Sequence, residues 1–273
     1  MIVRRIRSAL LVLIALAAGT AQAQNDEFIQ WTSSVGQMLA GYHASLGVAT
    51  AEIETRGGTV PSLYAGGPYD GGWAFSFGAL ESDSAFVIRY GVIVAADGSI
   101  ERFDAFEERR ESSAYHALAA QALAVVRDHA RAFRADRPEF TADAYRVAVL
   151  PFPRGSMTAF VSPAQTRPGV TLMGNDLMYT LSRQDVSPGE PTRFHHRLIP
   201  IPTTPPPGGM ALLLVPDAPM PSPVDVAHAV ERQAPLVVAA SAGVFQIQSD
   251  GSVERLADDD PLSEAARRGV DGQ

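Results

Sequence analysis

The chain of 273 residues contains no cysteine. A disulfide framework, a thiolate zinc site, a cysteine nucleophile and a lipid anchor on an N-terminal cysteine are all excluded. Lysine is absent too, so every basic position is arginine. We read this as codon bias of a GC-rich genome, and it rules out a G-x-x-x-x-G-K phosphate loop. Positive charge is scarce, with 22 basic residues against 30 acidic ones. No serine sits in a G-x-S-x-G elbow, and Gly155-Ser156 and Ser182 have no triad context. No apolar run reaches the ~20 residues that a membrane-spanning helix needs.

The longest apolar run, Ser8 to Ala18, has a different meaning. Arg4, Arg5 and Arg7 precede it, and Ala21-Gln22-Ala23 closes it with small residues at the positions a signal peptidase reads. This order predicts a secretory signal peptide over 1–23, cut between Ala23 and Gln24. The mature protein is then expected in the periplasm or medium of a Gram-negative bacterium, with no membrane anchor. Three of the 22 arginines lie in 1–23, so the mature chain holds 19 against 30 acidic residues, a formal charge of −11. Such a surface argues against nucleic acid as a partner, which needs clustered positive charge. An envelope protein or a small ligand remains.

The pattern beyond residue 23 predicts an α+β protein. Gln24-Asn25-Asp26 offers helix-capping chemistry, and Phe28, Trp31, Val35, Leu39, Tyr42 and Leu46 form one face of an amphipathic helix. Gly57 to Gly78, rich in glycine and aromatics, reads as a long ordered loop. Alternating Phe86, Ile88, Tyr90, Val92 and Val94, then Asp97-Gly98, then Ile100 and Phe103, read as a hairpin with a two-residue type I′ turn. A long helix is expected from Ser113 to Phe133, with Pro138 beyond its end. Short strands follow near 145–150, 157–161, 176–183, 193–201 and 210–215. A helix opens at Ser222-Pro223-Val224-Asp225 and runs to about Arg232, before strands at 235–240, 243–248 and 252–256.

The expected architecture is a mostly antiparallel twisted sheet with one long and one short helix packed on it, plus an N-terminal helix. Its parts are the signal at 1–23, the N-terminal helix and Gly/aromatic-rich loop at 24–82, a main domain at 83–257, and a flexible acidic tail at 258–273. The proline-rich stretch 202–209 reads as a stiff exposed connector. The sequence around Asp97-Gly98 is echoed around Asp250-Gly251, which is explained by convergence on a good turn sequence.

Candidate chemistry centres on six histidines. His43, His116, His129 and His228 fall on predicted helices without an H-x-x-x-H pair, and read as surface or boundary residues. His195 and His196 are adjacent on a predicted strand, so they point to opposite faces and cannot share a metal. Either could serve as a base beside a carboxylate such as Asp225. The paired carboxylates Glu107-Glu108 and Asp258-Asp259-Asp260 read as solvated surface.

The stretch Leu212 to Val226 resembles the metal-binding segment of JAMM/MPN-type zinc hydrolases, in which a strand ends in H-x-H-P and S-x-x-D then opens a helix. Pro216, Ser222 and Asp225 match, and the order of elements over residues 110–256 is similar. The histidines would fall at Leu213 and Val215, or at Leu212 and Leu214, and neither pair can coordinate zinc. The resemblance thus implies a JAMM-like α+β fold without the metal, and no cofactor is expected. Two functions follow. The first is a non-catalytic binding or interaction protein of the cell envelope. The second is a periplasmic metal-dependent hydrolase using His195 or His196 with Asp225.

Overall fold

A computed structural model describes residues 2–82, 85–133, 145–151, 156–165, 169–182, 186–195, 198–204, 211–215 and 218–271. The fold is α+β, with antiparallel pairing dominating its sheets. The single expected sheet is instead four among the described residues. The first orders β1 (Leu63–Tyr69), β2 (Gly72–Ser82), β3 (Ala85–Val94) and β4 (Ile100–Glu111). The second orders β5 (Tyr145–Pro151), β6 (Ser156–Pro163), β8 (Leu177–Ser182) and β9 (Thr192–Arg193). A small ribbon pairs β7 (Val170–Gly174) with β10 (Leu198–Pro202). The last orders β11 (Ala211–Val215), β12 (Leu236–Ala240), β13 (Gly243–Ile247) and β14 (Val253–Arg255).

The N-terminal helix is central to this arrangement. Helix α1 (Ile2–Thr55) runs unbroken through the Gln24-Asn25-Asp26 stretch expected to cap its start. Its buried stripe, Val35, Leu39, Tyr42, Ala49 and Ile53, follows three- and four-residue steps, with Leu46 partly buried in line. The helix stops at a Schellman motif. Gly57 takes φ of 77°, and the Gly58 N–H donates to the Ile53 carbonyl at 2.9 Å. Trp73, Phe75 and Phe77 alternate along β2 and bury one face against this stripe, with Val92 and Val94 of β3 beside them. The Gly/aromatic-rich stretch expected as a loop is therefore a hairpin. Its aromatics are spaced by two because they line the core side of a strand.

Helix α2 (Ala114–Phe133) covers the second sheet with Ala119, Ala122, Leu123, Val126 and Ala130. Val147 and Val149 of β5 face it, while Ala148 and Leu150 face the α1 side. A strand buried on both faces shows a continuous apolar run rather than an alternation. Helix α3 (Pro223–Arg232) joins the parallel strands β11 and β12 and packs between α1 and the fourth sheet, with Val226 and Ala229 against Leu236, Val238 and Ile247. Gly36 of α1 makes the close crossing. A Cβ there would lie 2.3 Å from the Val226 Cβ.

Other local expectations are also corrected. The turn after β3 has three loop residues, not two. Ala95 and Gly98 close it with N–H···O bonds of 2.9 Å, and only Gly98 has positive φ, at 81°. This is a type I turn followed by a left-handed glycine. The same bonds recur from Gln248 to Ser252, so the echo is a shared turn chemistry. Residues 261–271, expected as flexible tail, form α4 (Pro261–Asp271), which buries Ala266 against Val237, Ala239 and Val244. The expected strand over 193–201 is split into β9 and β10, with His195 between them. Pro138, Pro216, His196 and residues 205–209 lie outside the described residues. No helix among the described residues is long and apolar enough to cross a membrane.

Candidate functional site

The site begins at the start of α3. Ser222 takes extended backbone geometry and caps the helix, its Oγ accepting from the Asp225 N–H at 3.1 Å. Asp225 completes a capping box, its Oδ2 accepting from the Ser222 N–H at 2.8 Å and from the Ser222 hydroxyl at 3.0 Å. Pro223 occupies the first turn, where a missing N–H costs nothing. The sequence therefore placed this helix start correctly. It did not show that Ser222 and Asp225 are both fully buried.

Their burial comes from a second element. Gly174 and Asn175, with φ of 84° and 58°, turn the chain sharply from β7 into β8 and set Asp176 at the head of β8. The β8–β9 ladder then fixes its neighbour. Leu177 pairs with Arg193, and the Phe194 N–H donates to the Asp176 carbonyl at 3.3 Å. His195, next along, thereby lies beside Asp176, with Nδ1 2.6 Å from Oδ2. On the other side of the ring, Nε2 lies 3.2 Å from Asp225 Oδ2. The three residues thus form an Asp–His–Asp row, and their exposures are 0%, 3% and 0%.

Burial opposes charge on the imidazole, but the flanking Asp225 and Asp176 carboxylates outweigh it and raise His195 well above its ordinary value. Burial likewise works to raise Asp225. The His195 imidazolium and the Ser222 donors outweigh that and hold the carboxyl below its usual range. Satisfaction of the row is incomplete. His195 Nε2, Asp176 Oδ1 and Asp225 Oδ1 are buried and make no well-aligned hydrogen bond, and Nε2 stands 3.2 Å from Asp225 Oδ2 as an ion-pair contact.

A second polar cluster lies toward the C-terminal end of α3. Glu231 accepts from Arg146 of β5 at 2.8 Å and contacts His43 Nδ1 of α1 at 2.8 Å. His228 Nδ1 stands 3.7 Å away, beyond hydrogen-bond reach. Burial raises Glu231, and His228, His43 and Arg146 more than reverse this, leaving the carboxyl strongly depressed. His43 is lowered to about 4, first by burial and then by Arg146. His43 and His228, expected as surface or boundary residues, are thus internal, with side-chain exposures of 7% and 1%. Of the remaining histidines, His116 contacts Ser76 on β2 at 3.0 Å and His129 contacts Tyr179 on β8 at 3.2 Å. Neither meets a carboxylate in these contacts.

The structure therefore brings His195 and Asp225 together, as the hydrolase alternative requires. Sequence reasoning missed Asp176, His43, Arg146, His228 and Glu231. For His228 and Glu231, spacing by three from Asp225 along α3 was the available signal. No family model, curated protein or solved structure matches the chain.

Proposed function

We propose that this is an exported, non-catalytic binding or interaction protein of the bacterial cell envelope, built on a JAMM-like scaffold that lacks the metal-binding histidines. The observation that carries the reading is the closure of the Asp176–His195–Asp225 row, whose side chains are 0–1% exposed. A base or nucleophile acts only within ~2.6–3.2 Å of its substrate or a bridging water. These groups instead face one another, and Asp225 spends two of its contacts holding the start of α3. The acidic composition supports a partner or ligand other than nucleic acid. An envelope protein or a small molecule fits that requirement.

The hydrolase alternative draws on one observation, the 3.2 Å approach of His195 Nε2 to Asp225. Turnover separates the two. Purified protein should give no zinc-dependent hydrolysis of peptide, isopeptide or ester substrates above that of Asp225→Asn. Chelator-sensitive turnover that disappears in Asp225→Asn would overturn the non-catalytic reading.

A further inference from the structure

We propose that the Asp176–His195–Asp225 row is a structural site for one divalent cation of the zinc class, seated between His195 Nε2 and the Asp225 carboxylate. One donor atom from each of the three residues lies within 4.8 Å of the other two. Nε2 and Asp225 Oδ2 are 3.2 Å apart without a well-aligned hydrogen bond between them. Two ligands held ~2.0–2.1 Å from a tetrahedral zinc ion sit about 3.3 Å from each other, so this spacing suits a shared ion. Asp225 Oδ1, also buried and without a hydrogen bond, offers a second lone pair on the same residue.

Asp176 has a different part. Its Oδ2 lies 2.6 Å from His195 Nδ1 and accepts the hydrogen bond of the Nδ1–H, which leaves Nε2 as the basic nitrogen. A carboxylate behind a ligating histidine is the arrangement that fixes tautomer and ring orientation at metal sites. Charge points the same way. Two buried carboxylates and one imidazole carry a net negative charge even with the ring protonated, and an uncompensated buried charge is costly. A divalent cation beside a neutral imidazole cancels both carboxylates. One nitrogen and carboxylate oxygens suit zinc, manganese or ferrous iron better than calcium or magnesium, which take oxygen ligands.

Of the three residues only Asp225 belongs to the zinc-hydrolase motif; Asp176 and His195 lie outside it, and the motif's histidine positions are apolar. The ion would tie the β7–β8 turn and the β9–β10 connection to the start of α3. The inference goes beyond the proposed function, and its failure leaves the binding reading intact.

The test is metal content and zinc-dependent melting of the full chain, purified without chelator, alongside His195→Asn, Asp225→Asn and Asp176→Asn. The expected result is about one equivalent of bound metal and a melting temperature raised by added zinc. Both should be lost in His195→Asn and Asp225→Asn. Asp176→Asn keeps Nε2 and Asp225 and should bind 10–100-fold more weakly, which preserves the test should the other variants not fold. Folded wild type without metal and without a zinc-induced shift would overturn the proposal. So would undiminished binding in a folded His195→Asn or in Asp176→Asn.

Discussion

Replacing Asp225 by Asn in metal-free protein should cost far more than replacing its capping partner Ser222 by Ala. A helix cap viewed alone suggests the reverse, because loss of a capping hydroxyl typically costs ~1 kcal/mol and a first-turn carboxylate contributes a few tenths up to ~1 kcal/mol through the dipole. In the structure Asp225 is 0% exposed, accepts two bonds from Ser222 at 2.8 and 3.0 Å, and faces His195 Nε2 at 3.2 Å. Asn keeps one acceptor oxygen but removes the charge that supports the imidazolium. Breaking one partner out of a buried ion pair costs about 3–5 kcal/mol. Ser222→Ala leaves that charge in place and should cost about 1–2 kcal/mol, the upper end reflecting the buried oxygen left short of a donor. Urea unfolding reads both as shifts of the midpoint at constant slope. An Asp225→Asn cost no larger than that of Ser222→Ala would refute the ionic role assigned to the row.

The other predictions concern elements away from this row. Stability should fall as pH drops from about 6.5 toward 4, by up to ~1.4 kcal/mol per pH unit for His43, which is lowered to about 4 when folded and binds its proton earlier when unfolded. Glu231 adds to this below its ordinary value of 4.5, since its depressed folded state contributes stability that is lost as it protonates. Melting curves between pH 7 and 4 check both, and a flat profile would contradict them. Gly98→Val should cost ~1–2 kcal/mol by forcing a branched residue to φ of 81° in open space, and an unchanged melting temperature would argue against that turn. Gly36→Ala should cost ~1–3 kcal/mol or more by pushing α1 from α3, where the new Cβ would meet Val226 at 2.3 Å and the Pro223 carbonyl at 2.7 Å. Retained stability in that variant would refute the close crossing.

Local chemistry was legible in the sequence where one segment decides its own structure. The stripe from Ala119 to Ala130, the Ser222–Asp225 helix start and the alternation from Phe86 to Val94 all depend on neighbours within a few residues. Trp73, Phe75 and Phe77 were misread because flanking glycines suggested a loop, although period-two spacing of aromatics was itself a strand signal. Their burial depends on α1, packed across them from elsewhere in the chain. The candidate site was half legible. Asp225 and His195 could be named as chemistry-bearing residues, but they come from different elements 30 positions apart. Asp176 joins them only through the β8–β9 register and the sharp turn at Gly174-Asn175. The cluster of His43, Arg146 and Glu231 likewise requires α1, β5 and α3 to be packed before any pairing exists.

The most direct test of the central claim, that the Asp–His–Asp row is sealed inside the protein, is residue-resolved histidine modification. Diethyl pyrocarbonate labelling of native, chelator-treated protein, read by mass spectrometry, reports the reactivity of each ring. His195 should stay unmodified under conditions that label the partly exposed His116 and His129, and react only when the protein unfolds. Native-state labelling of His195 at the rate of those two would mean the site opens to solvent, contradicting the account of a closed, non-catalytic core.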